Sequence, residues 1–267
     1  MMREENMINR NVLVIGNQVT IYIGLVPDIG AHAHSTAVIA LSLNEEEISA
    51  RANQDGIWAT HQAYFLPANI NNEMRQFDNP IACIFIEPDS DCYQQYLKMH
   101  SFKENQLSPY LFNLNKLRNL LSNFANNPTC PNVLSTSVVE IILGSSPPPK
   151  LLDDRVVKCA KAIKQNIDEN LSAHALANMS DLSERQLSAL FKRDMGLPIR
   201  KYRLWLRLKN AVQLVDKGYA ITDAALASGF SDSAHFANSC RKLLGLKPTA
   251  IMEINKPLLL LATSEFI

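Results

Sequence analysis

The sequence predicts a two-domain chain of mixed α and β class: a small β-barrel followed by helices, then an all-α domain with two helix-turn-helix units. Three observations carry that reading. Short β-branched runs separated by turn signals occupy about the first ninety residues. The segment Gly144-Ser145-Ser146-Pro147-Pro148-Pro149-Lys150 then reads as a stiff, extended spacer, because consecutive prolines fix φ and lack donors. Beyond it, a short helix, a turn and a second helix recur twice around one long basic helix. The expected divisions are 1–144, a linker at 145–150, a helical domain at 151–256 and a tail at 257–267.

In the front half, Val12, Val14, Ile15, Val19, Ile21 and Ile23 form a strand pair around the Gly16-Asn17 turn. Further strands are expected within Thr36 to Leu43, Gly56 to Phe65 and Ile81 to Glu87. Breaks fall at Pro27-Asp28, at the acidic stretch from Asn44 to Glu47, at Pro67-Ala68-Asn69 and at Asp78-Asn79-Pro80. Many short strands at such spacing predict a small barrel or sandwich. Leu114, Leu117, Leu121 and Phe124 then share one helical face. That stripe reads either as a homodimer seam or as a helix laid on the barrel.

Composition excludes several classes. With 47% hydrophobic and 19% charged residues the chain is not a disordered one. The longest apolar run in the tail, Leu258 to Ala262, is far short of the roughly 20 residues a membrane helix needs. Acids at Glu4 and Glu5 stand where a signal peptide carries its basic patch, so a cytoplasmic protein is expected. Five dispersed cysteines offer neither a disulfide framework nor a zinc motif and are expected as small buried residues. The 26 basic and 26 acidic residues cancel overall, but unevenly. Residues 1–150 hold 9 and 14, a balance of −5, and residues 151–267 hold 17 and 12, a balance of +5. An acidic front joined to a basic back suggests that the back half meets a polyanion.

The back half begins with a helix opened by Asp153 and Asp154, whose charges suit the positive helix end, with Val156, Val157, Ala160, Ile163 and Ile167 apolar. Ser172 is placed to cap a short helix with Leu176, Ala177 and Met179 inward. Ser183 caps the next, with Leu187, Leu190 and Phe191 as its buried stripe. Glu184, Arg185, Ser188, Ala189, Lys192 and Arg193 are left outside. Gly196 ends that helix, and Pro198 starts a long one running to Asp216 that carries Arg200, Lys201, Arg203, Arg207 and Lys209. The second unit repeats the pattern. Ile221, Ala225 and Leu226 form a core, Gly229-Phe230 a turn and Asp232 a cap, and Phe236, Cys240 and Leu243 a buried stripe. A linking helix of about 19 residues is about 28 Å long. Successive major-groove faces of one duplex repeat every ~34 Å, so one rigid strut is able to hold two groove-entering helices.

These residues resemble the AraC/XylS family of bacterial transcription regulators over about residues 153–250. The resemblance rests on Leu176-Ala177, on Ser183-x-Arg185-x-Leu187-x-x-Leu190-Phe191-Lys192 with Gly196, and on Tyr202, Arg207, Ala211, Leu214, Ile221 and Ala225. It continues through Gly229-Phe230-Ser231-Asp232, Phe236, Gly245 and Pro248. Cys240, Ala224 and Met252 depart from its usual Phe, Ile and Arg. The front half resembles the cupin-like sensor domains of some members over about residues 10–100. The matching residues are His32-x-His34, Phe65-Leu66-Pro67 and Ile86-Glu87-Pro88-Asp89-Ser90. Asn72 stands where related domains carry a His.

The resemblance implies paired helix-turn-helix units on double-stranded promoter DNA. By position it puts base contacts at Arg185, Ser188 and Ala189 in the first unit, and at Ser233, Ala234 and Asn238 in the second. Lys192, Arg193, Arg203, Arg207, Arg241 and Lys242 are the candidate phosphate contacts. A small effector is expected at His32, His34 and His61. RNA polymerase and a second copy of the chain are the other expected partners, with no membrane, no cofactor, no metal and no catalytic residue. The rival reading is a cupin-like metal-binding or catalytic barrel that the DNA-binding half merely localises.

Overall fold

A computed structural model of the chain describes residues 10–26, 29–75, 79–99, 107–144, 151–244 and 258–262. The expected linker at 145–150 lies outside the described residues, as do Gly245, Pro248 and Met252. The front half folds into two sheets. The larger contains β1 (Asn11–Ile15), β2 (Val19–Gly24), β4 (Ala37–Ser42), β7 (Ala63–Leu66), β9 (Ile81–Ile86), β10 (Ser108–Pro109) and β11 (Leu258–Ala262). Its strand order is β10-β7-β4-β9-β2-β1-β11. The smaller contains β3 (Ile29–Ala33), β5 (Ile48–Ala52), β6 (Ala59–His61) and β8 (Asn71–Arg75), ordered β3-β8-β5-β6.

The strands β2, β4 and β9 are buried at every residue. Their side chains alternate between two separate cores, as the period of two requires. Ile21, Ile23, Ile39, Leu41, Ile84 and Ile86 pack outward under helices. Tyr22, Val38, Ala40, Cys83 and Phe85 point to the barrel interior. A strand buried on both faces reads as a continuous apolar run, which is why these three were visible in the sequence. The strands β5 and β8 were not, because they carry Ser, Arg, Asn and Glu and lie in the smaller sheet.

Three helices cover the outer face: α1 (Asp91–Met99), α2 (Leu114–Asn126) and α3 (Pro131–Leu143). Leu117, Leu121 and Phe124 of α2 are buried in the same core as β2 and β4. The stripe is thus taken up within the chain, and the dimer-seam reading of it is corrected.

The back half contains α4 (Asp154–Gln165), α5 (Ala173–Asn178), α6 (Glu184–Met195), α7 (Ile199–Asp216), α8 (Ile221–Ala227) and α9 (Ser233–Leu244). The caps match the sequence reading. The Asp153 side chain accepts from the Arg155 amide, and Ser172 from the Ala175 amide. Ser183 and Gln186 form a reciprocal capping box. Gly196 and Gly229 adopt φ 74° and 82°, where a β-carbon would strain the backbone and strike Tyr93 and Arg207. Val157, Met179 and Leu226, expected inside, are exposed, as is Cys130. In α8 the core positions are Ala224 and Ala225.

The two units are not packed alike. The first has a core of its own, built from α4 to α6 and the front of α7: Val156, Ile163, Leu176, Leu187, Phe191 and Tyr202. The second shares its core with the barrel interior. Trp205, Leu208, Phe230, Phe236, Cys240 and Leu243 join Val38, Tyr64 and Phe85 in one apolar cluster.

The expected tail is a second correction. Leu258–Ala262 forms β11, paired in parallel with β1 from Asn11↔Leu258 to Ile15↔Ala262. The chain therefore returns from the helical domain to close an edge of the barrel sheet, a non-local pairing with no local signal. Deleting residues 258–267 is expected to expose the β1 edge. The melting temperature should fall by several degrees and aggregation should rise, as differential scanning fluorimetry with light scattering would report.

Candidate functional site

The helices α6 and α9 present matching faces. In α6, Leu187, Phe191 and Met195 are buried, while Arg185, Ser188, Ala189, Lys192 and Arg193 are exposed on the other side. In α9, Phe236, Cys240 and Leu243 turn inward, and Ser233, Ala234, Asn238, Arg241 and Lys242 face out. The Asp232 side chain accepts from the His235 amide at 2.7 Å and so fixes the start of α9. Each exposed face thus holds small residues, Ser188 and Ala189 in α6 and Ser233 and Ala234 in α9, followed by two cations in the last turns. Joining them is α7, 18 residues or about 27 Å long.

Not every expected phosphate contact belongs to this surface. Arg207 is 9% exposed, and it donates to the Ile167 carbonyl at 3.0 Å and the Glu169 carbonyl at 3.3 Å. Its guanidinium ties the loop after α4 to α7 beside Gly229, so the phosphate expectation is corrected for it. Arg203 serves the same loop, donating to the Asn170 side chain and the Leu171 carbonyl, both at 2.7 Å. Arg193 is exposed but paired with buried Asp194 at 2.6 Å.

A polar knot joins α7 to the barrel. Lys209 Nζ lies 2.7 Å from Glu87 Oε1 and donates to the Gly16 carbonyl at 3.1 Å. Thr20 Oγ1 donates to Glu87 Oε1, and Trp205 Nε1 to Glu87 Oε2, each at 2.9 Å. Glu87 and Lys209 are 2% and 3% exposed. Burial pushes the Lys209 pKa down, against the pull of the Glu87 carboxylate. Around the knot, Tyr202 Oη donates to Asp89 at 2.9 Å, and Lys164 pairs with the same carboxylate. Gln94 donates to the Asp194 carbonyl at 2.9 Å.

Beside the knot lies an apolar pocket of about 80 Å³, walled by barrel residues that include Tyr22, Val38, Met74 and Phe85 and by Trp205, Leu208 and Val212 of α7. His32 and His34 line it; His61 does not. The effector expectation at His61 is therefore corrected: it sits on β6, an edge strand of the smaller sheet, with its ring 5.4 Å from that of Tyr64. His34 Nδ1 meets the Leu243 carbonyl of α9 at 2.9 Å, a direct bond from the barrel to the second helix-turn-helix unit. Burial drives the His34 pKa well below 6.5 and lowers that of His32. Among the described residues no three His, Cys, Asp or Glu side chains group to hold a metal. Asn72, paired across β8 with His32, uses its amide nitrogen on the carbonyls of His32 and Ile70.

Residues 176–253 match a family model described as a helix-turn-helix domain. The back half carries a helix-turn-helix domain. Its curated relatives include the probable transcriptional regulator LumQ of Photobacterium leiognathi, 33% identical over 88 residues (33% of this chain and 36% of that protein). Another is the HTH-type transcriptional regulator ArgR of Pseudomonas aeruginosa, 32% identical over 107 residues (40% and 31%). The chain thus spans about a third of the length of these relatives. The whole fold is similar to that of ToxT from Vibrio cholerae. An apo variant matches with a TM-score of 0.58 at 13% identity over 88% of this chain and 97% of that one. An unsaturated fatty acid-bound ToxT matches with a TM-score of 0.56 at 13% identity over 90% and 96%.

Within this domain, the sequence pattern did not mark Trp205 and Lys209 as the residues that meet the barrel. The signal available was Lys209 itself, a cation one residue from the buried Leu208. Removing one partner of the knot strands a buried charge, which costs about 3–5 kcal/mol. Lys209→Met and Glu87→Gln should each lower the unfolding free energy on that scale. The double variant should recover part of the loss in a denaturant double-mutant cycle. Acid acts through His34 as well. The unfolded chain takes up a proton near pH 6.5, while the folded chain, with its depressed imidazole, resists. The stability His34 contributes is therefore full above pH 6.5 and declines as the pH drops below it. Melts over that range should show a shallower decline in His34→Gln.

Proposed function

We propose that the chain is a sequence-specific DNA-binding transcriptional regulator of the AraC/XylS type that engages two adjacent major grooves of promoter DNA in the cytoplasm. A small effector in the front domain modulates it. The observation that carries this reading is the pair of exposed helix faces on α6 and α9 held by one strut, with the second unit sharing its core with a pocketed barrel. Arg185 donates to guanine O6 and N7, Asn238 pairs with adenine, and Ser188, Ala189, Ser233 and Ala234 allow close approach to base edges. Lys192, Arg193, Arg241 and Lys242 neutralise phosphates. RNA polymerase, met at the promoter, and a second copy of the chain complete the proposed partners. The likeness to ToxT, one of whose structures is fatty acid-bound, supports an effector at the front domain.

Selection from a randomised duplex library with the full chain tests the reading, and failure to enrich any motif at moderate salt overturns it. On the enriched operator, Arg185→Ala should lose about 1–3 kcal/mol while leaving random-DNA affinity nearly unchanged. Lys192→Ala should weaken both alike and reduce the salt slope by about one. Equal loss on both duplexes for Arg185→Ala would refute base reading.

A further inference from the structure

The two histidines of the pocket are at odds over their protons. His32 Nδ1 lies 2.9 Å from the Gly30 carbonyl, and His34 Nδ1 lies 2.9 Å from the Leu243 carbonyl. A carbonyl only accepts, so each Nδ1 carries the hydrogen. A neutral imidazole has one N–H, which leaves both Nε2 atoms as acceptors. Those two atoms face each other at 2.9 Å, with rings at 89° and side chains nearly fully buried. A third proton would resolve the conflict, but desolvation opposes a buried imidazolium here. Two lone pairs thus converge with no donor among the described residues. Across the β3–β8 register from His32, Asn72 Oδ1 is a further buried acceptor without a partner among the described residues.

The rest of the pocket limits what is able to supply the missing hydrogen. Its walls are apolar, from Leu13, Val38, Leu66, Met74, Phe85 and Leu208. Among the described residues lining it, Lys209 is the one that is formally charged, and that charge is matched by Glu87. An anionic ligand finds no cation to spare, and a cationic one would bury its charge against hydrocarbon. A metal fits poorly too. Two imidazoles on one tetrahedral zinc keep their nitrogens about 3.3 Å apart, given Zn–N near 2.0–2.1 Å. A single hydroxyl about 2.8 Å from each Nε2 closes a near-equilateral triangle with the observed spacing, its one hydrogen shared between the two nitrogens in a three-centre bond. The volume of about 80 Å³ is several times the roughly 10–15 Å³ that admits one water.

We propose that this pocket binds a small uncharged molecule with an apolar body and one O–H or N–H donor, of the alcohol, phenol or indole class, held by hydrogen bonding to the His32–His34 pair. The inference rests on the effector reading above and names the chemistry of that effector. The ligand touches both domains at once. Its donor settles the pair whose other end holds the Leu243 carbonyl, and its body packs on Trp205 and Leu208 of α7, so occupancy is felt where the second unit docks.

The test uses the full chain and three probes of similar shape: phenol, toluene, which lacks the donor, and benzoate, which carries a charge. Binding is read by fluorescence, with Trp58→Phe leaving Trp205 as the reporter, and by thermal shift. Phenol should bind about tenfold more tightly than toluene, the scale of one buried hydrogen bond, and benzoate more weakly still. His32→Leu should erase the preference for phenol over toluene, and Val212→Phe should block both by filling the pocket. Equal affinity for phenol and toluene, or tighter binding of benzoate, overturns the proposal without any variant. If no probe binds while operator binding persists, the ligand class falls and the regulator stands. If phenol binds with the expected preference but operator affinity does not move, the pocket stands and its role as effector site falls.

Discussion

The docking of the second helix-turn-helix unit on the barrel depends on one buried carboxylate. Glu87 ends the run of β9 and accepts from Thr20 on its own sheet and from Trp205 and Lys209 on α7. A charged carboxylate at that depth is tolerable only because these donors meet both of its oxygens. In turn they fix the rotation of α7, and so the faces that α6 and α9 present. Such a knot contributes direction, because each donor reaches a defined oxygen, where apolar packing alone is non-directional.

The shared core gives the two units different standing. The first unit closes its own apolar cluster and is anchored to the barrel through polar contacts such as Gln94 to Asp194 and Tyr202 to Asp89. The second buries Phe230, Phe236 and Cys240 against barrel residues, so its packing is that of the barrel interior. The pocket side of the barrel meets α9 through side-chain packing and one histidine hydrogen bond.

The sequence made the DNA-reading half legible almost residue by residue, because helices are specified locally. The caps at Ser172, Ser183 and Asp232, the glycines at 196 and 229 and the three-four spacing of Leu187, Phe191, Phe236 and Cys240 act within one or two turns of where they stand. In the barrel, the doubly buried strands were visible as apolar runs. The strands β5 and β8 of the smaller sheet were hidden by their polar composition. The errors share a cause. Arg207 looks like any surface cation of a basic helix until the loop at Ile167 and Glu169 folds against it. His61 resembles His32 and His34 in type and in strand context, and only the place of its strand, at the opposite edge of the smaller sheet from β3, removes it from the pocket.

What the sequence determined by itself is therefore what neighbours in the chain enforce: the class of each half, the two helix-turn-helix units, the strut between them and the residues on its outward faces. What the tertiary structure decided is everything set by pairs far apart in the chain. That includes the return of Leu258–Ala262 to the edge of β1, the meeting of Lys209 with Glu87 across more than a hundred residues and the convergence of His32, His34 and Leu243. The physical reason is that a cap or an apolar period states its partner in the next turn. A buried charge or an imidazole acquires its partner only when two distant segments are brought out of water together.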